Sequence, residues 1–157
     1  MTKKELTISY IEYNSVAELD AEDRILVGKA IEAMDGSYAP YSNFNVGAAV
    51  RLESGTIVTG ANQENAAYPS GLCAERSAMF CAGSQHKGDA IRSIAVVGGA
   101  QGCISDTPAS PCGACRQVMA QYQRIAGKDM SVILVGAKVI YKFARVDDIL
   151  PLIFDNF

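Results

Sequence analysis

The sequence predicts an α/β fold in which a mixed sheet carries helices on both faces. Three observations support this class. Strand-like stretches of alternating or apolar residues occur along the whole chain, helix-length stretches lie between them, and the two kinds of element intermix. With 157 residues, 49% of them hydrophobic, the chain can bury one core. We therefore expect a single domain over residues 1–157, with residues 1–18 as a peripheral extension.

The first predicted elements are a short strand and a helix. Residues 5–13 alternate apolar and polar side chains well enough for a strand. Asp20 can cap a helix that runs to about residue 34, and Gly36 can end it. The apolar face of this helix is predicted to hold Leu26, Ala30 and Ala33.

A hairpin and a buried strand follow. Residues 46–53 and 56–62 are predicted as the two strands of the hairpin, because Ser54 and Gly55 between them favour a turn. Residues 94–97 form a short apolar run with β-branched members, which is typical of a strand covered on both faces.

The remaining elements lie around two cysteine motifs. A helix of about ten residues is predicted to begin at Cys73, and a second helix from Cys112 runs to about residue 125. The last predicted elements are strands at 132–135 and 139–143 and a helical turn at 146–150.

The amino-acid composition and charge limit the kinds of molecule that the protein is expected to bind. The formal net charge is −3 and the basic residues are scattered, whereas polynucleotide-binding proteins normally show a basic patch. No apolar run approaches the roughly 20 residues of a membrane helix, and the start of the chain lacks the apolar segment of a secretory signal. We therefore expect a small-molecule substrate, no nucleic acid, no membrane and a cytoplasmic location.

The cysteine spacing indicates a catalytic metal. Residues 72–78 are Leu-Cys-Ala-Glu-Arg-Ser-Ala, and residues 111–117 are Pro-Cys-Gly-Ala-Cys-Arg-Gln. At the start of a helix, Cys112 and Cys115 lie one turn apart on one face, and Cys73 can supply a third sulfur. Structural zinc sites fill all four tetrahedral positions with protein ligands, whereas catalytic sites keep one position open. Three cysteines therefore favour a catalytic Zn²⁺.

Two neighbours of Cys73 extend this prediction. Glu75 lies close enough to reach a water on the metal, and Cys-x-Glu followed by Pro-Cys-x-x-Cys matches the signature of zinc-dependent deaminases. Glu75 is therefore predicted to act as general base and then general acid. Arg76 lies one turn from Cys73 and can donate charge-assisted hydrogen bonds to its thiolate. We expect Arg76 to tune the charge of the zinc site.

The other cysteines and the single histidine are not assigned to the metal. Five cysteines are an odd number, which does not suit a disulfide framework. Cys81 and Cys103 are predicted to be small buried hydrophobic residues. His86 lies outside any metal motif, so the His-x-Glu form of the deaminase signature is excluded.

The motifs resemble those of the small homotetrameric cytidine deaminases. The similarity covers residues 39–154 and adds three stretches to the two cysteine motifs. They are Pro-Tyr-Ser-Asn-Phe-Asn-Val-Gly-Ala-Ala at 40–49, Gly-Ala-Asn-Gln-Glu-Asn-Ala at 60–66, and Ile-Leu-Pro at 149–151 with Phe154. The resemblance implies a three-layer α/β/α sandwich around a mixed five-stranded sheet and one Zn²⁺ per chain. It also implies hydrolysis of cytidine and deoxycytidine to the uridines and ammonia, in pyrimidine salvage.

The resemblance also implies the contacts to a nucleoside substrate. Asn62 and Glu64 would bind the ribose hydroxyls, and Phe44 would pack on the pyrimidine. The Ala74 amide would hold the base carbonyl, and the Ser110 carbonyl would hold the exocyclic amine.

Further contacts would come from a neighbouring subunit of a homotetramer. By resemblance, Ala66, Tyr68 and Phe154 would reach the neighbour's site. The sequence departs from the family pattern at Gln63, where an apolar residue is usual, and at Asp155, where glycine is common.

Three other functions stay open on the sequence. A nucleoside-antibiotic deaminase of the blasticidin type shares the zinc motifs but is expected to lack the Asn62-x-Glu64 pair. A polynucleotide-editing deaminase is expected to bring His-x-Glu and a basic surface. A non-catalytic zinc module would need a fourth protein ligand, for which Cys81, Cys103 and His86 are candidates besides the acids. Asn62 and Glu64 could also serve only a turn or cap in their loop.

Overall fold

The computed structural model describes residues 1–155 and shows a mixed sheet between two layers of helices, which confirms the predicted α/β class. The strands are β1 (Ile11–Tyr13), β2 (Phe44–Leu52), β3 (Ile57–Ala61), β4 (Ile91–Ala100), β5 (Ser131–Val135) and β6 (Ile140–Phe143). The helices are α1 (Ala21–Ala33), α2 (Ala74–Gln85) and α3 (Gly113–Ala126), accompanied by short 3-10 turns.

The sheet has the strand order β1-β6-β5-β4-β2-β3. Strands β4 and β5 are parallel and are joined through α3, as a parallel crossover requires; the other neighbours are antiparallel. The sheet has six strands where the resemblance implies five, because β1 adds to the outer edge of β6. Only Ile11–Tyr13 of the predicted strand 5–13 pairs, opposite Ile140–Lys142 of β6.

The hairpin of β2 and β3 is confirmed, and the central strand β4 is longer than predicted. The sequence marked residues 94–97, whereas β4 spans Ile91–Ala100. Its last part includes Gly98 and Gly99, which pair with Val46 and Asn45 of β2. Glycine-rich sequence hides this extension because it carries no apolar signal.

Helix α1 covers one face of the sheet. Asp20 caps its first turn by accepting a backbone N–H at 2.8 Å, as predicted. Leu26 and Ala30 are buried in the core cluster that α1 forms with residues of β2, β4, β5 and β6. Ala33 is only half-buried and Met34 is buried instead, because the helix tightens into a 3-10 turn there.

Helices α2 and α3 cover the other face. Met79 of α2 and Met119 of α3 are buried in one cluster with Ile94, Val96 and Leu134 of the sheet. Both helices therefore share a face, which allows their first turns to approach each other. Within residues 1–155, no helix is long and apolar enough to span a bilayer.

Glycine allows the helices to approach the sheet closely. A Cβ on Gly60 would lie 2.4 Å from the Ala78 nitrogen and 2.8 Å from the Ala74 carbonyl oxygen, closer than a side-chain carbon can approach. Gly47 likewise allows α1 to approach the sheet, because a Cβ at this position would lie 2.1 Å from the Ala30 carbonyl oxygen. A side chain at Gly60 would displace the first turns of α2, which carry part of the site.

Candidate active site

The first turns of α2 and α3 bring three cysteines together. Cys73 is the N-cap of α2, and Cys112 is the N-cap of α3, with Cys115 in its first turn. The Sγ atoms of Cys73 and Cys112 are 3.9 Å apart, and those of Cys112 and Cys115 are 3.5 Å apart. All three sulfurs lie within 4.8 Å of one another. The structure thus unites residues that are 39 positions apart in the chain.

The donor set fits a tetrahedral zinc. Zn–S bonds of about 2.3 Å in tetrahedral geometry place sulfurs about 3.8 Å apart, which matches the observed spacing. Within residues 1–155, the cluster of metal-ligating side chains holds three members, so a fourth position stays open. Cys81 and Cys103 do not belong to it. The prediction that Cys103 is buried was wrong: it is exposed on the loop after β4, and Cys81 is half-buried.

Arg76 and the Cys115 thiol favour a thiolate at Cys73. The Cys115 thiol, hydrogen-bonded to Cys73, and the Arg76 guanidinium together lower the pKa of Cys73 to about 5. The same bond to Cys73, together with burial, raises the pKa of Cys115. Arg76 Nη2 lies 3.5 Å from Cys73 Sγ, as the sequence predicted for a charge-assisted contact. The helix N-termini add partial positive charge at the sulfurs.

Glu75 is a buried carboxyl group beside the sulfur cluster. It lies in the first turn of α2 and is only 4% exposed. Burial raises the pKa of Glu75, and the negative charge at Cys73 raises it further. A solvated residue that merely complements the helix dipole would be exposed. Its burial therefore indicates a role inside the site.

An open cleft of about 530 Å³ lies next to Cys73, within the size range of small-molecule pockets. The predicted site residues that line it are Asn62, Glu64, Tyr68, Cys73 and Arg76. The structure therefore brings the predicted sugar-binding pair and one metal ligand to the same cleft.

Hydrogen bonds of the Asn62 side-chain amide connect the cleft wall to strand β2. Its Oδ1 accepts the Val46 N–H at 2.8 Å and the Ser37 hydroxyl, and its Nδ2 donates to the Phe44 carbonyl at 2.9 Å. These bonds fix the orientation of the amide and leave one Nδ2 hydrogen available. The loop-stabilising role that the sequence left open is therefore observed, and it does not prevent a contact with a ligand.

The Glu64 carboxylate holds the turn at the cleft wall. Its Oε2 accepts the Tyr41 N–H at 2.8 Å and the Ser42 N–H at 3.2 Å. The Ser42 hydroxyl bond and these backbone bonds lower the pKa of Glu64. Tyr68 lies across the cleft with its ring centroid 5.6 Å from that of Tyr41.

Four other predicted residues lie outside the lining of this cleft. Phe44 is half-buried at the start of β2, and its ring is close enough to Gly98 that a Cβ there would lie 3.0 Å from it. Ala74 is buried as the first residue of α2, where its amide has no partner within the helix. Ser110 and Ala66 are exposed, and Ser110 immediately precedes the second cysteine motif.

Phe154 lies on α3 through contacts that the sequence reasoning missed. Gln117 Nε2 donates to the Phe154 carbonyl at 2.7 Å, and Gln117 Oε1 accepts the Phe154 N–H at 3.3 Å. Arg116 Nη1 donates to the Ile149 carbonyl at 2.8 Å. Both residues belong to the second cysteine motif, so their presence beside the ligands was the available signal. Their hydrogen-bond partners lie far away in the chain, so the spacing of residues within the motif does not predict them.

Known proteins share this arrangement. Residues 20–128 match the model of the cytidine and deoxycytidylate deaminase zinc-binding region. The chain is 42% identical over 130 residues to a cytidine deaminase of Halalkalibacterium halodurans, covering 82% of this chain and 90% of that one. It is 40% identical over 103 residues to a cytidine deaminase of Mycobacterium tuberculosis, covering 66% and 73%.

Solved structures agree with the sequence relatives. The crystal structure of a cytidine deaminase from Burkholderia pseudomallei superposes with a TM-score of 0.70 at 37% identity, covering 83% of this chain and 97% of that one. That of Mycobacterium tuberculosis gives 0.68 at 34% identity, covering 87% and 100%. The zinc-binding region that matches contains Cys73, Cys112 and Cys115, whose sulfurs meet beside a buried glutamate. By sequence and by fold, the chain belongs to the cytidine deaminase family.

Proposed function

We propose that the protein hydrolyses cytidine and deoxycytidine to uridine and deoxyuridine, with release of ammonia, in pyrimidine salvage. The observation that carries this proposal is the buried Glu75 beside three sulfurs that leave one metal position open. An open position distinguishes this site from that of a structural zinc module. Relatives that are cytidine deaminases support the substrate class.

We assign the metal ligands as Cys73, Cys112 and Cys115, with Arg76 as a charge-tuning residue. When bound, Zn²⁺ supplies the Lewis acidity that makes a water nucleophilic near neutral pH. Three thiolates would surround that metal with more negative charge than three histidines do. Arg76 offsets part of this charge through its contact with Cys73 Sγ at 3.5 Å.

Glu75 carries both protons of the reaction. It accepts one proton from the attacking water and passes it to the ring nitrogen while the water oxygen bonds to the adjacent carbon. It then carries the second proton to the exocyclic amine, the carbon–nitrogen bond breaks, and ammonia leaves. The water oxygen remains as the carbonyl of the uridine product. This requires one carboxyl group within reach of both water and ring.

The cleft supplies the contacts to the sugar. Asn62 keeps one Nδ2 hydrogen for a sugar oxygen, and both backbone bonds to Glu64 use Oε2, so Oε1 can accept a sugar hydroxyl. Three residues outside the lining of the cleft would contact the base. Phe44 would pack on the pyrimidine, the Ala74 N–H would donate to the base carbonyl, and the Ser110 carbonyl would accept a hydrogen bond from the exocyclic amine. The position of Ala74 at a helix start supports its assignment, because that N–H has no helical partner.

A nucleoside fits this cleft better than a nucleotide does. Among the described residues that line the cleft, Arg76 is the one cation, and its guanidinium contacts Cys73. Glu64 adds a negative charge. A phosphate group would need cationic or multiple N–H donors, which this lining does not offer. The enzyme should therefore reject cytidine 5′-monophosphate.

The active assembly is proposed to be a homotetramer in the cytoplasm. Ala66, Tyr68 and Phe154 would complete a neighbouring subunit's site, and the 74% and 71% exposure of Tyr68 and Phe154 supports contact with another chain. A reducing compartment suits the protein because the metal ligands must be thiolates.

The experiment that tests this function is a deamination assay on the purified, zinc-loaded protein. Cytidine should lose its ultraviolet band as ammonia appears in equal amount, and cytidine 5′-monophosphate should react much more slowly. Cytidine left unchanged by zinc-replete protein would refute the activity, and equal turnover of the nucleotide would refute the substrate class.

A further inference from the structure

We propose that Gln117 is a positioning residue of the substrate site, which clamps the backbone of Phe154 to α3 so that its ring reaches a neighbouring copy's cleft. This inference rests on the proposed function, in which Phe154 completes that cleft. It adds the residue that holds Phe154 in place. Gln117 itself need not touch the substrate.

The clamp consists of two hydrogen bonds to one residue. The Gln117 side chain donates Nε2–H to the Phe154 carbonyl at 2.7 Å and accepts the Phe154 N–H through Oε1 at 3.3 Å. A primary amide that satisfies both backbone groups of one residue pairs with it as a neighbouring β-strand would. Because these bonds use the N–H and C=O of Phe154, they fix the position of its backbone on α3 and do not involve its ring.

We call residues 149–155 the tail. Its start is held by Arg116, the residue before Gln117 in the second cysteine motif. Arg116 donates through Nη1 to the Ile149 carbonyl and through Nε to the Pro111 carbonyl, both at 2.8 Å. Arg116 thus links the tail to the loop that enters the second cysteine motif. Consecutive residues of α3 therefore fasten both ends of the segment 149–154.

The far side of the tail is anchored as well. Asp155 forms an ion pair with Arg124, two turns further along α3. Leu150 and Ile153 pack against the core cluster between the two attachment points. The tail is therefore attached at several points to the helix that also carries Cys115. The Phe154 residue stays 71% exposed near the end of this tail.

The two hydrogen bonds predict the kinetic effect of removing the Gln117 amide. Each hydrogen bond contributes modestly, so the loss of two should weaken docking of the tail roughly ten- to thirtyfold. A misplaced aromatic ring that contributes binding should raise KM, by at most about the same factor because the other attachments remain, while kcat at saturation changes little. A purely structural role of Gln117 would instead lower zinc content or stability.

The test compares Gln117→Met with Gln121→Met. Methionine keeps the length and helix propensity of glutamine but removes its hydrogen bonds, and Gln121 lies one turn further on the same helix. Zinc content, KM and kcat are measured for both, alone and combined with Phe154→Ala. Only Gln117→Met should raise KM, and it should add no further rise in the Phe154→Ala background.

A second readout needs no substrate. The chain contains no tryptophan, so Phe154→Trp introduces a single fluorescent reporter at the tail. Adding Gln117→Met should make this tryptophan more accessible to acrylamide, and Gln121→Met should not. Gln117→Glu, which places a carboxylate oxygen against the Phe154 carbonyl in place of the Nε2–H donor, should raise the accessibility at least as much.

The possible outcomes are distinct. Unchanged quenching and KM in Gln117→Met overturn the clamp. A KM effect that adds fully to that of Phe154→Ala overturns action through Phe154. Wild-type protein that releases no ammonia from cytidine overturns the proposed function and the substrate role with it. In that case, acrylamide quenching of the Phe154→Trp reporter still tests whether Gln117 holds the tail.

Discussion

The substitution Glu75→Gln gives the sharpest test of the proposed chemistry. Glutamine has the shape of the glutamate side chain but cannot carry a proton between water and substrate. Glu75 is 4% exposed and lies in the first turn of α2, which begins at the N-cap Cys73. No other described residue in the first turn of α2 carries a carboxyl group. Within that turn, no other carboxylate can therefore replace Glu75 as the base.

The magnitude follows from the two proton transfers. A positioned general acid or base contributes about 10²–10⁴-fold, or about 2.7–5.4 kcal/mol of barrier at 1.36 kcal/mol per tenfold. In the proposed mechanism Glu75 serves in both transfers, and contributions of one group to successive steps do not simply multiply. We expect kcat to fall by about 10³–10⁵-fold.

The assay measures ammonia release, zinc content and thermal stability on the same preparation. Zinc content should stay at one per chain, because Glu75 is not a ligand, and stability should not fall, because the amide is no longer than the carboxylate it replaces. Glu64→Gln is the matched control, since it makes the same change at the cleft wall. It should weaken cytidine binding but retain turnover at saturation. A zinc-loaded Glu75→Gln enzyme with near-normal kcat would refute the mechanism.

Three further predictions concern the metal, its charge and the core. Cys112→Ser should lose zinc and activity together, because a hydroxyl is a poor zinc ligand, whereas Cys103→Ser should keep both; metal analysis that shows an empty site in Cys103→Ser would contradict the ligand assignment. Arg76→Gln should retain zinc but lower kcat, and zinc loss in this variant would make Arg76 structural. Gln123→Met should cost about 3 kcal/mol in the free energy of unfolding, because two buried backbone N–H groups lose their acceptor. Its melting temperature should fall by roughly 6–12 °C, and an unchanged one would contradict this estimate.

Part of the cysteine cluster could be predicted because its pattern is local. Cys112 and Cys115 share one face of α3 at three-residue spacing, so the helix itself sets their sulfurs 3.5 Å apart. Glu75 and Arg76 follow Cys73 within one turn, and the structure places both beside the sulfurs. Helix geometry converts such short spacing into distance without help from the rest of the fold.

The edge of the sheet could be predicted only in part. Residues 5–13 carry an alternating pattern, but how many of them pair depends on the partner strand. Pairing stops at Ile11, which lies opposite Lys142 of β6. Tyr10 instead packs its ring against Tyr141, with centroids 5.1 Å apart. The burial of Cys103 was predicted wrongly for a related reason, since the exposure of a loop residue depends on the path of the loop.

By itself, the sequence determined the chemical groups of the site and the helices that present them. Capping at Asp20, the hairpin turn and the cysteine spacings all act over a few residues, where backbone geometry is short-ranged. The tertiary structure decided which distant groups meet. Cys73 meets Cys112 because α2 and α3 pack on one face of the sheet, and Gln117 meets Phe154 because the tail folds back along α3. Such contacts join residues tens of positions apart, and only the packing of the whole core sets the distance between them.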